Sequence, residues 1–385
     1  MIPYGKQDIK QEDIDCVIDV LKSDFLTQGP KVPEFENVLA QHTGARYAFA
    51  VNSATSALHI ACLALGLKAE DWLWTSPITF VASANAGRYC GANVDFVDID
   101  PDTYNICPKK LQQKLIKASS LGRLPKILIP VHLCGQPCDM REIQRLCQEY
   151  DVKIIEDASH AIGARYFDEP VGNCRFSDVT VFSFHPVKIV TTAEGGAALT
   201  NDADIAQRLE LYRSHGVTRD PKLMVSDPHG PWYYEQIALG YNYRMTDIQA
   251  ALGITQMRRL DEFLSKRRRI AERYDIFLRD LPVVTPHQMP ETSSAFHLYP
   301  VRLALESVSV SHRSVFEGLR EKGIGVNIHY IPVHTQPYYK LMGFNSGDFP
   351  EAERYYSEAI SLPVYPGLTA EDQHIVVNAL SNLLS

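Results

Sequence analysis

Short apolar runs that alternate with helical patterns are the feature that most constrains this chain. Such runs fill about the first 200 residues: YAFAV (47–51), WLWTS (72–76), NVDFVDID (93–100), LPKILIPVHLCG (124–135), VKIIEDAS (152–159), VTVFSF (179–184) and GAALTN (196–201). A strand that is apolar on both faces is buried on both, as in a parallel sheet covered by helices. We therefore predict an α/β fold whose large, mainly parallel sheet binds ligands beyond the carboxyl ends of its strands.

The pattern changes after residue 245. From Thr246 the sequence predicts one long helical stretch that allows a kink, and then a smaller α/β unit with the strand HLYPVRL and the helix HRSVFEGLREKG. We predict a large domain with an N-terminal arm over residues 1–245, and a bridging helix with a small C-terminal domain over residues 246–385. Residues 217–239 have no period and predict a long functional or mobile loop.

Composition narrows the class of protein. The chain has 385 residues and a formal net charge of −8, which argues against nucleic acid or an anionic membrane as the main partner. No apolar run is long enough to span a membrane and no signal-peptide pattern opens the sequence, so we expect a cytoplasmic protein. The basic run 266–269 predicts a solvated helix face. Cys134 and Cys138 predict reduced structural thiols, with zinc or a disulfide as the alternative.

A single lysine follows the predicted strand VTVFSF. Lys188 lies in SFHPVKIVTTAEGG among apolar and small residues. A lysine shielded from water has a lowered pKa, and its neutral amine can attack an aldehyde. A lysine at a strand edge that pairs with a carboxylate suits this segment as well, so the segment alone does not decide between the two.

An aspartate ends the strand VKIIEDAS. Asp157 at that position points into the ligand crevice, where its carboxylate could keep a pyridine nitrogen protonated. Capping the next turn is the alternative role. His160 either packs against the same ring or belongs to the core.

Small hydroxyl residues follow the first strand. NSATSAL (52–58) leads into a helix and offers free N–H groups and a positive dipole end to a phosphate, although a plain helix cap explains it too. Ser183 could add a hydroxyl to the same phosphate. Phe80, after another strand, could stack on a flat ring or lie in the core. One flat phosphorylated aldehyde, pyridoxal 5′-phosphate, accounts for all these features together.

The sequence resembles the DegT/DnrJ/EryC1/StrS family of sugar aminotransferases. The resemblance rests on DFLTQGPKVPEFE, VNSATSALHIA, TSPITFVASANA, EDASHAIGARY, VFSFHPVKIVTTAEGGAALTN, RSHG, GYNYRMTDIQAALG and VNIHYIPVH, which cover almost the whole chain. It implies the aspartate-aminotransferase-like architecture, fold type I of the pyridoxal-phosphate enzymes. It also implies amino transfer from L-glutamate to a UDP-linked keto sugar, in a homodimer with the active site at the subunit interface.

The resemblance also implies roles for individual residues. Lys188 holds the cofactor, Asp157 pairs with its ring nitrogen, His160 lies near the ring and Phe80 stacks on it. The phosphate is implied to be held by Ala54, Thr55, Ser183 and, from the other subunit, Asn242. The sugar-nucleotide site is implied to be lined by Tyr4, Asp24, Phe25, Leu26, Thr27, His329 and Tyr330, with Ala54, Ser183 and Asn242 nearby.

Three questions stay open at this stage. Some members of the family replace the lysine by histidine and act as dehydratases, so the lysine here favours amino transfer. Other nucleotide-linked 4-keto sugars remain alternative substrates. His185, next to the lysine segment, either turns toward the substrate or serves packing.

Overall fold

The computed structural model describes residues 1–385. Its helices are α1 (Gln11–Leu21), α2 (Lys31–Thr43), α3 (Ala54–Ala64), α4 (Ala82–Tyr89), α5 (Pro108–Ser120), α6 (Met140–Gln148), α7 (Ala203–Arg213), α8 (Asp247–Arg258), α9 (Leu260–Phe277), α10 (His312–Glu321), α11 (Pro337–Lys340), α12 (Pro350–Glu358) and α13 (Ala370–Leu384). No helix of the chain combines the length and the apolarity that crossing a membrane requires.

The strands form one large sheet and three small ones. They are β1 (Tyr47–Val51), β2 (Trp72–Thr75), β3 (Asn93–Phe96), β4 (Ile127–Ile129), β5 (Lys153–Asp157), β6 (Arg165–Tyr166), β7 (Glu169–Pro170), β8 (Val179–Ser183), β9 (Gly196–Thr200), β10 (Val217–Thr218), β11 (Glu235–Gln236), β12 (Val283–Val284), β13 (Thr292–Ser293), β14 (Tyr299–Leu303) and β15 (Ala359–Leu362).

The large sheet has seven strands in the order β1-β9-β8-β5-β4-β2-β3. Its strands are parallel except for β9, which is antiparallel to both of its neighbours. The predicted, mainly parallel sheet is therefore confirmed. Because β1, β2, β4, β5 and β8 all end at the same edge, the segments that follow them meet there.

The second half of the chain adds a small antiparallel sheet, β12-β14-β15. Its core is formed with α9, α10 and α13. The predicted strand HLYPVRL corresponds to β14, whereas GVNIHYIP is an extended segment that joins the sheet through one bridge, from Asn327 to Ser361. The division at residue 245 stays a prediction, because α8 packs against α1 and α2 while α9 continues into the small sheet's core.

The long helical stretch is interrupted at Arg259, between α8 and α9. Thr246 caps α8, since its side chain accepts a hydrogen bond from the Gln249 N–H. The prediction of a solvated basic face is wrong for Arg267, which is 1% exposed. Its guanidinium donates hydrogen bonds to the carbonyl oxygens of Phe296, His297 and Val364, at 3.3, 3.2 and 3.0 Å. This buried arginine ties α9 to the segment before β14 and the segment after β15.

Candidate active site

A cavity of about 540 Å³ lies beyond the carboxyl ends of the central strands. The structure brings most of the predicted site residues into its wall: Tyr4, Ala54, Thr55, Phe80, Asp157, His160, Ser183, Lys188, His329 and Tyr330. Residues far apart in the sequence, such as Tyr4 and His329, therefore line the same cavity.

The remaining predicted residues lie outside this cavity. Asp24, Phe25, Leu26, Thr27 and Asn242 are all exposed on the surface of the chain. The first four form a turn whose Leu26 carbonyl accepts a hydrogen bond from the N–H of Asp247 at 3.0 Å. A single chain therefore does not assemble the complete set.

The loop between β8 and β9 carries Lys188. It is closed by backbone hydrogen bonds from Phe184 to Gly195 and from Thr192 to Phe184, both at 2.9 Å. Behind it, β9 begins at Gly196, where a Cβ atom would lie only 2.4 Å from the Ala54 nitrogen. Glycine at this position allows the start of α3 to approach the loop.

Burial controls the charge of Lys188. Lys188 is partly buried, and the desolvation of its ammonium group lowers its pKa to about 8, although the carboxylate of Asp157 opposes the shift. About a tenth of the amine is therefore neutral, and nucleophilic, at pH 7, and about half at pH 8.

Two hydrogen bonds hold the carboxylate of Asp157 at the end of β5. The hydroxyl of Ser83 donates to Oδ2 at 2.7 Å, and the backbone N–H of Ser159 donates to Oδ1 at 3.1 Å. Ser83 in turn contacts the hydroxyl of Thr79 at 2.8 Å. Asp157 is buried, with 5% of its surface exposed, and these bonds fix the orientation of its carboxylate.

The N-terminus of α3 forms another wall of the cavity. Ser53 caps the helix by accepting a hydrogen bond from the N–H of Ser56 at 3.1 Å. Ala54 and Thr55 are the first two residues of α3, and their N–H groups have no acceptor within the chain. With Ser183 at the end of β8 they form a wall suited to an anionic oxygen.

Neutral histidines form another part of the cavity wall. Burial lowers the pKa of His160 well below its usual value and that of His329 to about 3. His160 Nδ1 accepts the N–H of Cys134 at 3.2 Å, so its proton resides on Nε2 and is donated to the Tyr330 hydroxyl at 3.0 Å. The Tyr330 hydroxyl keeps its own proton, because burial also raises its pKa. It can donate that proton into the cavity.

Sequence reasoning missed several residues of this site. His297 lines the cavity, and its ring centroid lies 4.5 Å from that of His160. Ser83 lies three residues after Phe80, but nothing in the sequence signals its contact with Asp157. His185, left open above, is exposed at the rim with Nε2 3.9 Å from Glu194 Oε1. Cys134 and Cys138 are buried, and the Cys138 thiol donates to the Val131 carbonyl at 3.2 Å.

These features fit pyridoxal 5′-phosphate. A lysine with a lowered pKa can hold an aldehyde covalently, and an oriented carboxylate can pair with a ring nitrogen. The free N–H groups of Ala54 and Thr55 suit a phosphate, and the Phe80 ring, 59% exposed, offers a face for stacking. The fold and this cavity together define a pyridoxal-phosphate-dependent enzyme.

Comparisons with known proteins agree. The model of the DegT/DnrJ/EryC1/StrS aminotransferase family matches residues 7–381. The chain is 38% identical, over 100% of its length and 98% of the relative's, to the UDP-4-amino-4,6-dideoxy-N-acetyl-beta-L-altrosamine transaminase of Campylobacter jejuni.

Two solved structures are similar over nearly their whole length. PseC of Helicobacter pylori, an aminotransferase involved in the biosynthesis of pseudoaminic acid, has a TM-score of 0.90 and 31% identity, with 100% of this chain and 99% of that chain covered. Spr1654 of Streptococcus pneumoniae, solved in a PMP form, has a TM-score of 0.90 and 29% identity, with the same coverage.

The chain belongs to the DegT/DnrJ/EryC1/StrS aminotransferase family. It is a pyridoxal-phosphate-dependent sugar aminotransferase with the fold type I architecture.

Proposed function

We propose that this enzyme moves an amino group from L-glutamate to C4 of a UDP-linked 4-keto-6-deoxy-N-acetylhexosamine. The keto substrate would be UDP-2-acetamido-2,6-dideoxy-β-L-arabino-hex-4-ulose. The product would be UDP-4-amino-4,6-dideoxy-N-acetyl-β-L-altrosamine, made for pseudaminic acid and for a cell-surface glycan such as glycosylated flagellin. The observation that carries the proposal is the Lys188–Asp157 site in a chain 38% identical to a transaminase of that name. The cytoplasmic location expected from the sequence is part of this proposal.

Lys188 is the proposed catalytic amine. When bound, pyridoxal phosphate supplies an aldehyde that accepts nitrogen and a ring that takes up electrons. Lys188 would hold that aldehyde through Nζ. Its amine, about half neutral near its pKa of about 8, would take up the proton from the donor's Cα and return it at C4′. The same amine reverses these transfers on the keto sugar.

The other cavity residues orient the reactants. Asp157, held by Ser83 and Ser159, would pair with the ring nitrogen and keep it protonated. Phe80 would stack on the ring, and the N–H groups of Ala54 and Thr55 with the Ser183 hydroxyl would hold the phosphate. His160 stays neutral beside the ring and fixes the hydroxyl of Tyr330.

The sugar nucleotide is proposed to enter beside Tyr4, His329 and Tyr330. His329 is held by Ser361, with Nδ1 2.9 Å from its hydroxyl. Lys188 is the one lysine or arginine in the cavity wall, and it is committed to the cofactor. A UDP diphosphate needs further positive charge or hydrogen-bond donors, which a second subunit could add.

We therefore propose a homodimer with shared sites. Asn242 would reach the phosphate bound by the other copy, and the turn Asp24–Thr27 would line the other copy's sugar site. Phe25 and Leu26 in this turn are 54% and 48% exposed, which suits an interface in the dimer.

A half-reaction screen tests the substrate. The purified enzyme is first converted to the aminated cofactor form with L-glutamate. The excess donor is removed, and UDP-linked 4-keto sugars are then added one at a time. Recovery of the visible absorbance band with the β-L-arabino substrate, and formation of the 4-amino sugar by mass spectrometry, is the expected result. Recovery only with a different nucleotide-linked ketone would assign the alternative substrate. Loss of water from the sugar without any glutamate requirement would assign the dehydratase instead.

A further inference from the structure

Arg244 is a partly buried cation that has no acceptor within its own chain. It lies in the extended segment that leads into α8, where its backbone forms an antiparallel bridge with Val51. Its Nε is buried and lacks a hydrogen-bond partner, and its two terminal nitrogens form neither a hydrogen bond nor an ion pair. Taking a charged group out of water without giving it a partner costs free energy. Arg244 therefore lacks an acceptor that something outside the single chain could supply.

The other cations that are not exposed all have such a partner, apart from the proposed catalytic lysine. Their guanidinium groups donate to carboxylate, carbonyl or amide oxygens in Arg88, Arg213, Arg259, Arg267, Arg268, Arg273 and Arg302. Every lysine that is not exposed forms an ion pair, except Lys188. Lys188 and Arg244 are thus the two shielded cations without a partner, and only Lys188 has been given a role so far.

A cavity of about 190 Å³ borders Arg244. Arg213 and Glu36 line the same cavity, but these two side chains pair with each other. The carboxylate of Glu36 also accepts a hydrogen bond from the N–H of Ala50 at 2.8 Å. Because the charges of this pair compensate, Arg244 leaves the cavity with a net positive charge. An anionic group is the ligand that suits such a cavity.

Arg244 lies between two elements that the proposed dimer assigns to the other copy's site. Asn242 is two residues earlier in the same extended segment, and side chains two residues apart lie on the same side of extended backbone. Gln28 and Gly29 line the cavity of Arg244 and directly follow the turn Asp24–Thr27. The guanidinium is therefore placed beside a residue proposed to reach the cofactor phosphate and beside a turn proposed to line the sugar-nucleotide site.

The two kinds of phosphate in the proposed site differ in what else binds them. The cofactor phosphate is already given the N–H groups at the start of α3, the Ser183 hydroxyl and Asn242. The diphosphate of the nucleotide sugar has no cation, because Lys188 is the one lysine or arginine in the active-site wall and is committed to the cofactor. A planar guanidinium can donate to two phosphoryl oxygens at once. The diphosphate is therefore the better acceptor for Arg244.

We propose that Arg244 binds the diphosphate of the nucleotide sugar in the active site of the other copy of this chain, and so determines the affinity for that substrate. The inference rests on the proposed function and on the proposed shared site. Arg244 takes no part in the proton transfers assigned to Lys188. Its loss should therefore affect the half-reaction with the nucleotide sugar and spare the half-reaction with glutamate, which carries no phosphate.

Nucleotide binding without turnover tests this assignment. Calorimetry measures the Kd of UDP for the wild-type holoenzyme and for Arg244→Gln, which is expected to bind UDP about ten- to a hundredfold more weakly, the usual effect of losing a hydrogen bond to a charged group. If the wild type binds neither UDP nor another nucleoside diphosphate, the proposed function fails and this inference fails with it. If it binds one of them and Arg244→Gln binds it equally well, only the role of Arg244 is refuted.

Two further variants control for charge and for folding. Arg123→Gln is the matched control, because Arg123 is exposed and precedes β4, at the edge of the sheet opposite the active site. Arg244→Lys keeps the charge without the paired donors and is expected to lose less affinity than Arg244→Gln. The cofactor absorbance band, the thermal unfolding midpoint and sedimentation velocity check that each variant is folded, loaded and dimeric. A folded Arg244→Gln that becomes monomeric would assign this arginine to the contact between copies and overturn the proposal.

The two half-reactions separate the diphosphate from the cofactor phosphate. In Arg244→Gln, the KM of the nucleotide-linked ketone that reoxidises the aminated wild type should rise about ten- to a hundredfold, while the conversion of the cofactor band by L-glutamate changes by less than about twofold. A lowered affinity for pyridoxal phosphate with an unchanged KM for the ketone would assign Arg244 to the cofactor phosphate instead and refute the proposal.

Mixed dimers test whether Arg244 serves the other copy. When Arg244→Gln is mixed and refolded with Lys188→Ala, each mixed dimer has one site in which Lys188 and the arginine from the other chain are both intact. At a nucleotide-sugar concentration below the KM, activity should return to about a quarter of the wild-type value, as random pairing of two subunits gives. Activity no higher than the sum of the separate variants would place Arg244 at its own chain's site and overturn the proposal.

Discussion

Side chains of the cavity wall find their partners within one chain, whereas those on the outer face of the N-terminal segment do not. In the cavity, Asp157, His160 and His329 are each hydrogen-bonded to named partners within the chain. On the outer face, by contrast, apolar side chains lie in solvent. One chain therefore holds the proposed cofactor-binding centre, while residues predicted to complete it lie on the surface.

Helix α1 shows this difference most clearly. Helical spacing places Ile14, Ile18 and Leu21 on one face, yet they are 45%, 37% and 56% exposed. Asp13 on the other side is buried, where its carboxylate accepts hydrogen bonds from Thr255 at 2.6 Å and from Arg259 at 2.5 Å. The polar side of α1 thus anchors it to the chain. Its apolar side is exposed to solvent, which favours the proposed dimer.

The largest effect is expected at the cavity centre. Lys188→Ala removes both the covalent anchor and the proton-transferring amine, so turnover should fall by about 10²–10⁴-fold or more while the fold is retained. Borohydride reduction of the wild type should abolish the visible band and modify the Lys188 peptide. A cofactor-saturated wild type without such a band, or normal turnover in the variant, would refute the role of this lysine.

A charge on the apolar side of α1 should disrupt the proposed dimer. Ile18→Asp places a carboxylate in the proposed interface, and burying it unpaired costs several kcal/mol, so the dimer should dissociate and activity fall with it. Ile116→Asp on α5 is the control, because Ile116 is also exposed, at 55%. Sedimentation velocity should report monomers for the first variant only. A dimer that survives Ile18→Asp contradicts this interface.

Complementation separates a shared site from a self-contained one. Asn242→Ala should weaken cofactor binding about ten- to a hundredfold, the cost of a hydrogen bond to a charged group. When it is mixed and refolded with Lys188→Ala, each mixed dimer would contain one site with both residues intact. At limiting cofactor, activity should return to about a quarter of the wild-type value, as random pairing of two subunits gives. No recovery above the sum of the separate variants would argue that Asn242 does not serve the other copy's site.

The sequence predicted the sheet well because its strands are apolar on both faces. It overextended the strand ends: NVDFVDID reads as eight strand residues, whereas β3 covers Asn93–Phe96. The residues after Phe96 leave the strand, and Asp98 pairs with Lys110 instead, which periodicity does not report. It also gave no direction for β9, because the apolar pattern of a strand is the same in parallel and antiparallel pairing.

Site residues at strand ends were predictable because the apolar strands that precede them could be recognised in the sequence. Contacts between distant segments were not, since they arise only when strands assemble. Ser83 and Asp157 meet because β2 and β5 both border β4. Arg267 lies within a basic run, which predicts a solvent-exposed side chain. It is buried because the segments that flank the small sheet pack against it.

Ser83 offers a smaller perturbation of the cavity than loss of the lysine. Ser83→Ala removes one of the two donors to Asp157, so the carboxylate should pair less firmly with the cofactor ring. A hydrogen bond to a charged group contributes about 1.5–3 kcal/mol, which corresponds to a loss in kcat of about tenfold or more. The wavelength of the cofactor band should also shift, which a purely structural role would not produce. Ser311→Ala, which removes the side-chain cap of α10 outside the cavity, is the control.

The smallest expected effect concerns pH and tests whether burial governs Lys188. With a pKa of about 8, the neutral amine should increase about tenfold between pH 7 and 9 and then level off. An exposed lysine, with a pKa near 10.4, keeps gaining neutral amine up to and beyond pH 10. Stopped-flow capture of pyridoxal phosphate by the cofactor-free enzyme, divided by capture by Nα-acetyl-lysine at each pH, isolates the protein's contribution. That ratio should therefore fall above pH 8, whereas a constant ratio up to pH 10 would mean that the cavity does not shield this amine and that its nucleophilicity has another origin.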